Sequence, residues 1–162
     1  MVNQYEYKKT YSQRKFKCKA IKKILKNMGK NEIYCETNHM FIKTFFDVVI
    51  NEFKKVELII LRRDIASVLK SFIELNYFTD KNDAWREWMT SPNARSRAID
   101  CIDRDENLDQ YDLSIAYLID IEARTQRFLR EYPHLPVYEV CLEQLNDIDH
   151  VKNLFEKLNI TI

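Results

Sequence analysis

A single glycine, Gly29, stands in 162 residues, and that scarcity limits what the backbone can build. Cradles that hold phosphate with backbone amides need glycine for positive φ and for close approach of the ligand. A G-x-x-x-x-G-K-[ST] loop needs two glycines and a G-x-G-x-x-G turn needs three. Both motifs are excluded from this sequence.

The hydrophobic pattern alternates between helical and strand periods. Phe16, Ala20, Ile21, Ile24, Leu25 and Met28 recur at helical spacing, and Gly29 stops that helix. Asn31–Glu36 (NEIYCE) reads as a short strand, and Met40–Phe53 as an apolar-rich helix. Val56–Leu61 (VELIIL) is the strongest strand, nearly continuous in aliphatic and β-branched residues, as in a strand covered on both faces. A helix from Asp64 to Asn76 follows it. A long helix, Leu113 to Tyr132, carries Leu118, Ile121, Thr125, Phe128, Leu129 and Tyr132 on one face, with Pro133 and Pro136 at its exit. Val137–Cys141 (VYEVC) reads as a third strand and Asp147–Leu158 as a last helix. Strands alternating with helices predict an α/β domain with a parallel sheet, layered α/β/α. Residues 1–162 are expected to form one domain, with 1–15 a basic segment that is poorly ordered or stands apart from it.

Cys18, Cys35, Cys101 and Cys141 contain no C-x-x-C pair, and His39, His134 and His150 are scattered, so no metal-ligand spacing is present. Free thiols, no apolar run approaching about 20 residues, and an N-terminus without a secretory core all point to a cytoplasmic protein with no membrane partner. Net charge is +1, but its distribution is uneven. Residues 1–30 hold ten Lys/Arg and one acid, Glu6, whereas the rest hold 16 basic and 24 acidic residues. A basic end suits either a solvated helix face or an anionic partner. No base-stacking motif accompanies it, which argues against nucleic acid.

The segment that carries chemistry is Val56–Leu75, VELIILRRDIASVLKSFIEL. A strand that ends in Arg62 and Arg63 and runs into a helix puts guanidinium groups at the carboxyl edge of the sheet, where α/β folds bind ligands. Arg63 is a permanently charged fork suited to phosphate. Ser71 lies two helical turns further on, at the border of the apolar face. The same pattern also fits a solvated arginine and a serine bonded to its own helix.

Arg63 to Ser71 (RDIASVLKS), after an aliphatic strand, resembles the element with which PAPS-dependent sulfotransferases hold the donor's 3′-phosphate. In that family Arg is usually followed by Asn and Pro, with Ser eight residues after the Arg. Here Asp64 and Ile65 stand in the Asn and Pro places. Tyr34 to His39 (YCETNH) is similar to the strand end and turn that precede the element. Ala116–Pro133 and Val137–Leu145 are similar to the family's long helix and late strand. The resemblance spans roughly Ile33 to Ile160. It implies a P-loop NTPase-like fold, PAPS or PAP as nucleotide co-substrate, no metal, Arg63 and Ser71 as the 3′-phosphate clamp, and His39 or Glu36 as catalytic base. Glu139 matches the family's Tyr-Glu strand. Trp85, Trp88, Arg95 and Arg97 fall where such enzymes cover donor or acceptor.

The family's first strand and glycine-bearing loop have no counterpart here. A truncated or degenerate sulfotransferase is therefore expected, with the strands ending at Leu61 and Cys141 left apart by a vacant middle position. Unpaired inner edges are rarely tolerated, so a protein partner, an oligomer or a loop supplied in trans is expected to cover them. The alternative function is a non-enzymatic interaction module that uses its basic N-terminus or open sheet edge.

Overall fold

The computed structural model describes residues 7–30, 32–83, 85–90, 94–100 and 107–160. It is a mixed helix–strand fold in the order α1 (Tyr7–Asn27), a π-helical turn (Phe41–Phe45), α2 (Phe46–Glu52), β1 (Leu58–Arg62), α3 (Ile65–Glu74), α4 (Trp85–Trp88), α5 (Gln110–Glu131), β2 (Val137–Cys141), a 3-10 turn (Leu142–Asn146) and α6 (Ile148–Lys157).

Aspartates start three of the helices. The Asp64 carboxylate accepts from the Ser67 amide at 2.7 Å, and Asp147 accepts from the Asp149 amide at 2.9 Å. Asp109 and Asp112 form a reciprocal capping box at the head of α5. Each satisfies amides that the first helical turn leaves without partners.

β1 and β2 pair with each other in parallel, Leu58 opposite Val137 through Arg62 opposite Cys141. This corrects the three-stranded, P-loop-like sheet with a vacant middle position. The two strands expected to lie apart are neighbours, and among the described residues they form the whole sheet. Of the short strand expected over Asn31–Glu36, residues 32–36 join no ladder, and Asn31 lies outside the described residues. Side-chain bonds organise that stretch instead. Nor is β1 covered on both faces, since Ile59 is 44% and Leu61 55% exposed.

α1 spans Tyr7–Asn27, so residues 7–15 of the basic N-terminal segment are helical, and residues 1–6 lie outside the described residues. Its rotation also differs from the apolar stripe. Phe16 is 66% exposed, Ile24 48% and Leu25 40%, while Arg14 and Cys18 are buried. Ion pairs set this rotation. Arg14 binds Asp47, with the second contact at 2.9 Å, and Lys15 and Lys22 grip Glu52 at 2.6 and 2.7 Å. Buried charge must be paired, and this requirement overrides the burial of exposed aliphatics.

The core forms around α5. Phe78, Met89 and Tyr117 are buried together, with Phe72 and Trp85 packed against them. Further along the helix, Phe128 meets Phe41 and Phe46 edge-on at centroid distances of 5.8 and 5.6 Å. Such edge-to-face geometry suits the ring quadrupoles.

Candidate functional site

Two adjacent arginines end β1, and their fates diverge. Arg62 binds Glu122 and, through Nε at 3.2 Å, Glu139. Glu139, the Tyr-Glu strand residue, is thus occupied as a structural partner. Arg63 is exposed and makes no hydrogen bond or ion pair among the described residues. It precedes the Asp64 cap, so it stands between the end of a parallel strand and the start of α3. Asp64 takes the Ser67 hydroxyl and the local amides as donors, which holds its carboxyl below the usual range. The helix terminus is therefore already engaged by an anion, and a ligand at Arg63 must rely on side chains. Ser71 is half-buried in the second turn of α3, and its hydroxyl bonds no described group.

Glu36 lies on the 32–40 segment beside α1. Lys17 binds it, the Tyr34 hydroxyl donates at 2.7 Å, and Asn38 Nδ2 donates at 3.0 Å. Burial pushes this carboxyl upward, but the three donors outweigh burial and hold its pKa below the ordinary value. A carboxylate so stabilised is a poor proton acceptor. His39 is exposed; burial of part of its ring, then the charges of Lys43 and Lys17, lower its pKa below 6.5. Its neutral form, which a general base requires, is thereby favoured. No hydrogen bond or ion pair joins Glu36 to Arg63 or Ser71 among the described residues. The two sets stand on different elements.

The remaining candidates have structural contacts. Trp85 packs on Phe78 at 5.0 Å and donates to the Thr79 carbonyl at 3.1 Å. Arg97 pairs with Asp100 at 3.0 Å. Arg95 is exposed, and the side chain of Trp88 lies outside the described residues.

A cluster absent from the sequence reading lies in the interior. Asp120 accepts from Arg124 Nε at 2.7 Å, from the Thr90 hydroxyl at 3.2 Å and from the Ala98 amide. Arg124 also donates to the Ser96 carbonyl and is 2% exposed, yet its Nη1 has no hydrogen-bond partner among the described residues. Lys43, with no exposed surface, donates to the Tyr117 hydroxyl at 3.2 Å. Burial, aided by Arg124, lowers the Lys43 pKa to about 8. The same burial raises the Tyr117 phenol well above its usual value. Ser114, one turn before Tyr117, is fully buried, and its hydroxyl has no hydrogen-bond partner among the described residues. The i, i+3, i+7, i+8 spacing of Tyr117, Asp120, Arg124 and Thr125 beside the apolar stripe was the available signal. Charged residues are ordinarily assigned to the wet face, and that concealed it.

Among the described residues no group of three His, Cys, Asp or Glu converges on a point, and no helix is long and apolar enough to cross a membrane. Compared with protein-family models, curated proteins and solved structures, the chain matches none.

Proposed function

We propose that the chain is a sulfotransferase-like nucleotide binder in which Arg63 and Ser71 hold the 3′-phosphate of PAPS or PAP. The observation that carries this reading is the contrast between neighbours: Arg62 is neutralised by two carboxylates, while Arg63 is exposed at the carboxyl end of a parallel strand and, beyond the charge attraction of the adjacent Asp64, makes no hydrogen bond or ion pair among the described residues. A guanidinium in that position offers a planar fork to phosphate. Sulfuryl transfer is a further step. It builds negative charge on the bridging oxygen, which in this family a lysine and loop amides compensate. One glycine supplies no such loop, so transfer requires a phosphate loop from another segment. A strand carrying such a loop would pair at the outer edge of β1 or β2, because the two strands bond each other directly.

Calorimetric titration tests the clamp. Adenosine 3′,5′-bisphosphate should bind more tightly than adenosine 5′-monophosphate, and Arg63→Ala should remove about 1.5–3 kcal/mol of that preference. Equal affinity of wild type and variant for the bisphosphate would end this assignment.

A second reading, the non-enzymatic interaction module, is favoured by the exposed apolar face of Ile59, Leu61 and Ile65. If copies of the chain cover it, sedimentation equilibrium should show association that Leu61→Lys reduces. A monomer at every concentration would remove the oligomeric form of this reading.

A further inference from the structure

α1 has a second face that its packing does not use. Between Tyr7 and Asn27 there are nine Lys/Arg and no acid. Arg14, Lys15, Lys17 and Lys22 are paired with Asp47, Glu52 and Glu36, and Lys9 is also engaged. Lys8, Lys19, Lys23 and Lys26 are exposed and make no ion pair among the described residues. Stepping about 100° per residue from Phe16, these four share one arc of roughly 160° with Phe16, Ala20 and Ile24. Phe16 is 66% and Ile24 48% exposed, with the Lys19 ammonium 5.0 Å from the Phe16 ring centroid. Arg14, Cys18 and Ile21 occupy the opposite side.

We propose that this face of α1 docks on an anionic lipid bilayer, with Phe16 and Ile24 entering the headgroup region and Lys8, Lys19, Lys23 and Lys26 held over acidic headgroups. The inference is independent of nucleotide binding at Arg63. It alters the expectation of no membrane partner, because the helix lies on the surface and does not span it. Three observations favour lipid over other anions. The face is convex and about 30 Å long, matching a plane better than it would a peptide needing a groove. Its cations are all lysines, since the helix's one arginine faces inward, so the forks that grip individual phosphates or read bases are missing. Its exposed aromatic and aliphatic groups gain from partial withdrawal out of water, which a phosphate backbone does not offer.

Co-sedimentation of the full chain with vesicles tests this. Binding is expected to phosphatidylcholine vesicles containing phosphatidylserine and not to phosphatidylcholine alone, and it should weaken as salt is raised. With about 1 kcal/mol per lysine near such a surface, the double variant Lys19→Gln, Lys23→Gln should lose about thirtyfold in partitioning. Phe16→Ser should lose about tenfold from the lost apolar contact. Unchanged circular dichroism verifies that these exposed substitutions leave the fold intact, and Lys8→Gln, Lys26→Gln provides a second pair. Failure to bind phosphatidylserine vesicles, or equal binding by wild type and both lysine pairs, overturns the proposal. So does salt-sensitive binding of single-stranded RNA without vesicle binding, which would assign the face to nucleic acid. Intact vesicle binding in Arg63→Ala separates this surface from the nucleotide site.

Discussion

The Lys43 ammonium donates to the Tyr117 hydroxyl at 3.2 Å from a position with no exposed surface. A π-helical turn and the middle of the longest helix thus meet through a charged group in the interior. Burial disfavours the protonated amine, and the neighbouring Arg124 adds like-charge repulsion.

That burial makes stability depend on pH. Lys43 titrates near 8 in the folded chain and at an ordinary 10.5 when unfolded. Below about 8 both states hold the proton and the penalty is fully present. Between 8 and 10 the unfolded chain holds more protons, so this group makes stability rise with pH. Above 10 the raised Tyr117 phenol acts oppositely, because the unfolded chain ionises first. Cys18, raised from 9.0 by burial, opposes the rise from about 9 upward. Lys43→Met isolates the lysine. Urea unfolding should show the variant gaining stability relative to wild type at pH 7 compared with pH 10, by on the order of 2 kcal/mol, because only the wild type carries the buried charge at the lower pH. The difference should shrink toward pH 10. A difference independent of pH would contradict the assignment.

The same substitution should be felt at His39. Its imidazole is held below 6.5 by burial and then by Lys43 and Lys17. In an NMR titration, Lys43→Met should raise the His39 pKa toward the ordinary value. Lys17→Gln should do the same while also releasing Glu36, whose carboxyl should then titrate at higher pH. A His39 titration unmoved by either change would remove both lysines from its surroundings.

Local elements were legible in the chain because their signals are local. The aliphatic run Val56–Leu61 became β1 at Leu58–Arg62, and the Asp64 and Asp147 caps started α3 and α6 within one residue of expectation. What pairs with β1 was not legible, since strand pairing is decided by residues some 80 positions away. The facing of α1 escaped for a related reason. Its apolar stripe suggests one rotation, but Asp47 and Glu52, about 30 residues on, impose another through Arg14, Lys15 and Lys22. Arg63 and Ser71 stand out in the sequence through spacing together with the family resemblance, whereas the Lys43–Tyr117–Asp120–Arg124 cluster does not stand out at all. Nothing in one helix's sequence says that its charged residues will be covered by another segment.

Ser114 tests how the cluster's polarity is distributed. Its hydroxyl is fully buried and has no hydrogen-bond partner among the described residues, so it carries desolvation cost without return. Ser114→Ala should leave stability unchanged or raise it by up to about 1 kcal/mol, and alanine's helix propensity adds to the gain. Thr90→Val should act in the opposite direction, because the Thr90 hydroxyl does bond Asp120. Thermal denaturation of the two variants should therefore move apart. A loss of stability in Ser114→Ala would mean that its hydroxyl has a partner.

Arg14 and Asp47 join α1 to α2, and their pairing helps hold α1's lysine face outward. The Arg14 guanidinium is 7% exposed and spends its donors on both Asp47 oxygens, the Thr44 carbonyl at 2.8 Å and the Thr10 hydroxyl at 3.2 Å. The Thr44 bond matters because a π-helical turn shifts the usual i, i−4 pairing of its carbonyls. Asp47→Asn preserves shape but removes the carboxylate charge from the Arg14 pair, and breaking such a pair costs about 3 kcal/mol. Arg14→Met should cost less, since Asp47 is the more exposed partner and can turn to water. Chemical denaturation of the two variants and of the double mutant gives the coupling between them. A coupling near zero would mean that apolar packing, not this pair, sets how α1 is rotated.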